Sequence, residues 1–104
     1  MNLKELKIEA QLLCNKSIET KEYIKYLREA MDNIYISPSS FQRKIESYNE
    51  NICIDKKYYK ALAFYIAYKE RVKYHTLNDE KAKHLYFLFI KELNTNILPK
   101  KARE

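Results

Sequence analysis

The 104-residue chain contains no glycine. β-Hairpins and β-sandwiches turn tightly through backbone conformations with positive φ, which glycine adopts most easily. A βαβ fold without one glycine would be unusual for the same reason, and glycine-rich phosphate-binding loops are excluded because they require residues that this chain lacks. Hydrophobic residues make up 46% of the chain, enough for one small core. These features predict an all-α protein, a compact bundle of about five helices.

Apolar residues at helical spacing, together with capping signals, indicate where the helices lie. Thr20, Ser37 and Asp55 are the predicted N-cap residues, and the fifth helix is predicted to start at Asn78. Pro38, directly after Ser37, suits the first helical position because the missing N–H has no partner there in any case. The predicted helices cover, in chain order, about 3–15, 20–32, 37–48, 56–74 and 78–93.

The predicted fourth helix, over 56–74, is apolar on nearly all its sides. A helix of this kind is usually buried by neighbours on several sides, so we expect it at the centre of the bundle. Residues 1–94 are predicted to form one helical domain. Residues 95–104, with Pro99 and two consecutive lysines, are predicted to be a basic, frayed tail.

The predicted second helix carries polar residues four positions apart. Lys25 and Glu29 have this spacing, as do Glu22 and Tyr26. Side chains so spaced are neighbours on a helix, which predicts local ion pairs on its outer face.

The cysteines and the apolar runs indicate the compartment. Cys14 and Cys53 are far apart in sequence and match no metal-binding or redox spacing, which predicts two buried thiols in a reducing environment. The longest apolar run, 85–90, is far shorter than the roughly 20 residues that span a bilayer. The N-terminus lacks the apolar core of a signal peptide. We therefore expect a cytoplasmic protein with no membrane contact.

The sequence offers no catalytic constellation. No nucleophile, base and orienting residue occur at a recognisable spacing. The histidines are His75 and His84, and Asp79 and Glu80, predicted in the first turn of the fifth helix, are the carboxylates near His75. Such a sparse set does not predict a metal site. We expect no enzymatic activity, no cofactor and no metal.

The positive charge is concentrated in the middle of the chain. The formal net charge is +6, and residues 37–75 hold eight basic and four acidic groups. A cluster of this kind suits phosphate binding, because each neutralised phosphate releases counterions. A solvated lysine-rich surface is the alternative interpretation of the same pattern.

Residues 34–45, Ile-Tyr-Ile-Ser-Pro-Ser-Ser-Phe-Gln-Arg-Lys-Ile, carry a local motif. The apolar residue before Ser37-Pro38, and Phe41, Arg43 and Ile45, resemble the turn and recognition helix of an AraC-type helix-turn-helix. Tyr35 stands where that family usually has glycine. The resemblance implies that residues 23–32 form the supporting helix and that helix 37–48 enters the major groove. Residues facing DNA would then be Ser39, Ser40, Gln42 and Arg43, with Lys44, Lys56, Lys57 and Lys60 along the backbone.

These features predict a small basic helical protein that binds nucleic acid, DNA in preference to RNA. Sixteen lysines against four arginines indicate AT-rich coding, as in many phages and mobile elements, so a regulator from such a source fits. The alternative is a non-enzymatic interaction protein, such as a phage-encoded inhibitor of a host or defence complex, or a helical subunit of a nucleoprotein assembly. Ten tyrosines favour that alternative. A homodimer through the fourth and fifth predicted helices is a third hypothesis, because 85–90 is apolar on every side.

Overall fold

A computed structural model describes residues 2–33, 53–75 and 79–97. Helix α3, Lys56–Tyr74, lies at the centre of the fold. It packs against each of the other helices. The radius of gyration, 13.3 Å, is close to the roughly 13 Å of a compact chain of about 100 residues. The other helices are α1 (Leu3–Cys14), α2 (Thr20–Asn33) and α4 (Glu80–Glu92), which continues as a π-helical turn over Leu93–Ile97.

The predicted all-α class is confirmed. The described ranges hold four α-helices rather than about five, and no strand beyond an isolated bridge between Asn2 and Cys53. The predicted helix over 37–48 lies outside the described residues, as do residues 98–104 of the predicted tail. Helical backbone continues to Ile97, past the predicted end of the last helix.

Local capping accounts for the start of three helices. Asn2 and Glu5 form a reciprocal capping box at the start of α1. Asp55 caps α3 as predicted, since its side chain accepts from the Lys57 N–H at 3.0 Å. The predictions for α4 and α2 differ from the structure. Asp79, predicted inside the first turn of the last helix, is the N-cap of α4, which begins at Glu80. Thr20 lies inside α2, and its hydroxyl accepts from Lys7 Nζ at 3.0 Å instead of capping.

The core lies where α1, α2 and α4 meet α3. Alanines at 61, 63 and 67 of α3 are fully buried, and their small side chains let the neighbouring helices approach closely. Tyr23 of α2 is fully buried as well, and its hydroxyl donates to the Leu3 carbonyl at 2.6 Å. That bond joins α1 to α2. The largest fully buried apolar side chains are Leu3, Leu6, Leu27, Met31, Leu62, Ile66 and Phe89.

The ion pairs predicted within α2 form between helices instead. Glu22 pairs with Lys73 and Glu29 with Lys69, each at 3.4 Å, and both lysines belong to α3. Tyr26, expected on the outer face, is buried. Packing of α2 on α3 turns that face inward, so its acidic residues meet lysines of α3 rather than their own neighbours.

The two cysteines differ in exposure. Cys14 is buried at the end of α1, and burial raises the pKa of its thiol. Cys53 is exposed beside Asn2, so the prediction of two buried thiols was wrong for this residue. It lies just before α3, outside the contact between helices.

None of the described helices is long and apolar enough to cross a lipid bilayer.

Candidate nucleic-acid interface

Three of the lysines predicted to bind phosphate lie together at the start of α3. Lys56, Lys57 and Lys60 are all exposed. They hold three of the first five positions of the helix, and Lys56 and Lys60 are one turn apart on the same face. They border a surface cleft of about 470 Å³, called here the lysine cleft, which is lined by Lys56, Lys57, Tyr59, Lys60, Glu92 and Asn96.

The lysine cleft lies at the positive end of a helix dipole. The first turns of α1, α2 and α4 each contain a glutamate, whereas the first turn of α3 has no acidic residue and begins with two lysines. Carboxylates stabilise a helix N-terminus and ammonium groups oppose its partial positive charge. The helix dipole therefore does not stabilise the charges of these lysines. Their positive charge and the positive end of the dipole act together in attracting an anion.

The six basic residues of α3 divide into two groups. In the second half of the helix, Lys69 pairs with Glu29, Arg71 with Asp79 and Lys73 with Glu22. Within the part of the chain that the structure describes, no carboxylate forms an ion pair with the lysines of the first half. At the N-terminal end of α3 three lysines thus remain without an ion pair, and the capping carboxylate of Asp55 carries one opposing charge. The residues of that end are Lys56, Lys57 and Lys60.

Tyrosine contacts hold this end of α3 against α1. The Tyr59 hydroxyl donates to the Glu5 carbonyl at 3.1 Å. Partial burial raises the pKa of Tyr59, and the nearby carboxylates of Glu9 and Glu5 raise it further. The bridge between Asn2 and Cys53 joins the same two chain segments. The backbone below the lysines is therefore anchored, while their side chains extend into solvent.

The opposite wall of the lysine cleft comes from the end of α4. Asn96 Nδ2 donates to Glu92 Oε1 at 2.8 Å. This bond keeps one oxygen of the Glu92 carboxylate occupied, yet the carboxylate still opposes an anion deep in the cleft. The geometry therefore suits a phosphate backbone that passes over the lysine rim better than a small anion enclosed by the walls.

The structure covers only part of the predicted site. It brings Lys56, Lys57 and Lys60 together, and α2 spans the predicted supporting helix over 23–32. The other predicted contacts lie outside the described residues: Ser39, Ser40, Gln42, Arg43 and Lys44. The sequence analysis did not assign Tyr59 to the site, although this residue lies between Lys57 and Lys60 in the sequence. It also did not assign Asn96, which reaches this cleft only through the packing of α4.

A second, smaller cavity of about 120 Å³ lies between the ends of α1 and α3. Glu70 is buried on its wall, and its Oε1 has no hydrogen-bond partner among the described residues. Burial raises the pKa of Tyr26, and the carboxylate of Glu70 contributes to the same shift. Across the described ranges, no three or more His, Cys, Asp or Glu residues are grouped so as to hold a metal ion.

No protein-family model, curated protein or solved structure matches the chain. The resemblance of residues 34–45 to an AraC-type recognition helix therefore stays a prediction.

Proposed function

We propose that this protein is a small, non-enzymatic nucleic-acid-binding protein that holds a phosphate backbone at the lysine cleft. The observation that carries the proposal is the charge division on α3. Lysines at its C-terminal half are neutralised by α2, whereas Lys56, Lys57 and Lys60 have no ion pair within the described ranges and stand at the positive end of the helix. Counterion release from neutralised phosphates supplies the binding free energy at such a surface.

Contacts at the lysine cleft position a nucleic acid without reading its sequence. Sequence preference, and the preference for DNA over RNA, rest on the predicted base contacts of Gln42 and Arg43 in a helix-turn-helix-like element. With those contacts the protein acts as a regulator, and the AT-biased composition fits a phage or mobile-element source. Three phosphate contacts at the lysines alone correspond to a salt-dependence slope of about −2.7 on duplex DNA.

Fluorescence anisotropy of a labelled random duplex, titrated with the full chain at about 50 and 200 mM salt, tests this proposal. We expect binding that weakens steeply as salt rises. A single-stranded RNA of equal length and label provides the comparison between the two nucleic acids. Absence of duplex binding at the lower salt concentration contradicts the proposal and reduces the lysines to a solvated surface.

The alternative function is that of an interaction protein whose partner is a host protein or a nucleoprotein complex. Ile8 and Leu12, one turn apart on α1, are 47% and 71% exposed. Two large apolar side chains side by side on a helix surface favour a protein contact. Co-purification after nuclease treatment distinguishes this function from the first. A protein partner should be lost with Leu12→Asp and retained with Lys56→Gln.

A further inference from the structure

The outer face of α4 carries a stripe of exposed residues. Glu80, His84, Phe87 and Lys91 are spaced by four, three and four positions, so they lie along one side of the helix. All four are exposed, and Phe87 has 62% of its surface in contact with solvent. The opposite side of α4 is buried against α3. The apolar run 85–90 is thus divided between a core face, where Leu85 and Phe89 are buried, and this stripe, which contains Phe87.

The stripe is self-complementary. Its acidic residue, Glu80, lies in the first turn of α4, and its basic residue, Lys91, lies in the last. Both are equally far from the midpoint between Leu85 and Tyr86. His84 and Phe87 are likewise equally far from that midpoint. A second α4 laid antiparallel along the stripe therefore sets Glu80 against Lys91, and His84 against Phe87, on both sides of a two-fold axis.

We propose that the outer face of α4 binds a second copy of this chain in that antiparallel arrangement. The contact contains two Glu80–Lys91 ion pairs around a centre made by Phe87 and His84 of each copy. Antiparallel helices also set their dipoles in the favourable relative orientation. An interface in which the same patch meets itself is what two-fold symmetry requires.

The neighbouring aromatic residues support the stripe without covering it. Tyr86 is 44% exposed beside Phe87, and its ring packs against the ring of Tyr68, with the two ring centroids 4.9 Å apart. Beneath it, Phe89 is buried against Tyr65, with ring centroids 5.0 Å apart. This packing holds α4 in place on α3, so the stripe is a preformed surface. A single helix pair buries little area, and we expect a weak dimer that forms with rising concentration.

The proposed dimer does not depend on nucleic-acid binding. Glu92, which lines the lysine cleft, lies near the C-terminal end of α4. In the antiparallel pair the two lysine clefts would lie at opposite ends, about 20 Å apart along the helix axis.

Sedimentation equilibrium of the full chain over a concentration series, without nucleic acid, tests the proposal. We expect self-association that Phe87→Ala abolishes, while the thermal midpoint of unfolding is unchanged at a concentration where the chain is monomeric. Leu12→Ala, which truncates an apolar residue on α1 that is at least as exposed as Phe87, is the matched control and leaves association intact.

Charge reversal tests the orientation. Glu80→Lys and Lys91→Glu should each weaken association about tenfold, because each replaces two attractions by two repulsions. The double variant, Glu80→Lys with Lys91→Glu, should restore association, although both changes place charges unfavourably for the dipole of α4. A wild-type chain that stays monomeric throughout, or a double variant as weak as the single ones, overturns the proposal.

Discussion

Arg71 donates hydrogen bonds from Nε and Nη2 to the two carboxylate oxygens of Asp79, at 2.8 and 3.4 Å. The same carboxylate caps α4 by accepting from the Ala82 N–H at 3.0 Å. One side chain therefore both begins α4 and ties it to the last turns of α3. The hydrogen bonds from Arg71 hold the pKa of Asp79 below its ordinary value.

Replacing Asp79 should lower stability more than replacing the other aspartate cap. Asp55→Ala removes a cap alone and should cost about 1 kcal/mol, a fall in Tm of about 4–8 °C. Asp79→Ala removes the cap and the partner of Arg71, so we expect a larger fall in Tm. Thermal unfolding followed by circular dichroism measures both. Equal falls for the two variants would show that the Arg71 contact adds nothing.

The Asp79 charge should make stability depend on pH. Folding lowers the pKa of Asp79, so its ionised carboxylate contributes to the free energy of unfolding. This contribution is fully present above the pKa of the unfolded chain, about 3.9, and is lost as pH falls through the lower pKa of the folded state. Asp79→Asn retains a capping side chain but loses the charge. Its Tm should therefore lie below that of the wild type at about pH 7, and the gap should close in acid. A gap that is constant with pH contradicts this assignment.

Neutralising the lysine cleft should reduce the salt dependence of duplex binding. The triple variant Lys56→Gln, Lys57→Gln, Lys60→Gln should lower the magnitude of the slope by about 2 to 3. Anisotropy titrations across salt concentrations give the slope. The matched control replaces three exposed lysines elsewhere and removes the same net charge: Lys4, Lys21 and Lys25. If both triple variants change the slope equally, binding depends on net charge and not on the cleft.

The two tyrosine–carbonyl bonds onto α1 should differ in their contribution to stability. Tyr23→Phe leaves the buried Leu3 carbonyl without this donor and should cost about 1–3 kcal/mol. Tyr59→Phe removes an exposed bond to the Glu5 carbonyl, where water can replace the hydroxyl, and should cost less than about 1 kcal/mol. Urea unfolding of both variants checks the order. The reverse order would indicate that the contact between α1 and α3, rather than the one between α1 and α2, limits stability.

Much of the described helical structure could be predicted because its signals are local. The absence of glycine, the Asp55 cap and the unbroken apolar pattern after it predict α3 with the bounds observed, Lys56–Tyr74. The cap at Thr20 was predicted wrongly, and α4 was predicted to start before its Asp79 cap, since several polar residues near each start could cap equally well. Contacts from other helices decide which of these residues becomes the cap. For α4 the contact is the hydrogen bond from Arg71 to Asp79.

The sequence by itself determined the helical class, the bounds and central place of α3 and the presence of lysines at its start, because backbone preference and periodicity act over a few neighbouring residues. Only the tertiary structure decided which lysines of α3 form ion pairs with other helices. Glu22 and Glu29 reach Lys73 and Lys69 because α2 packs along the second half of α3. Charge pairing depends on distances of a few ångströms between residues far apart in the chain, and packing alone sets those distances.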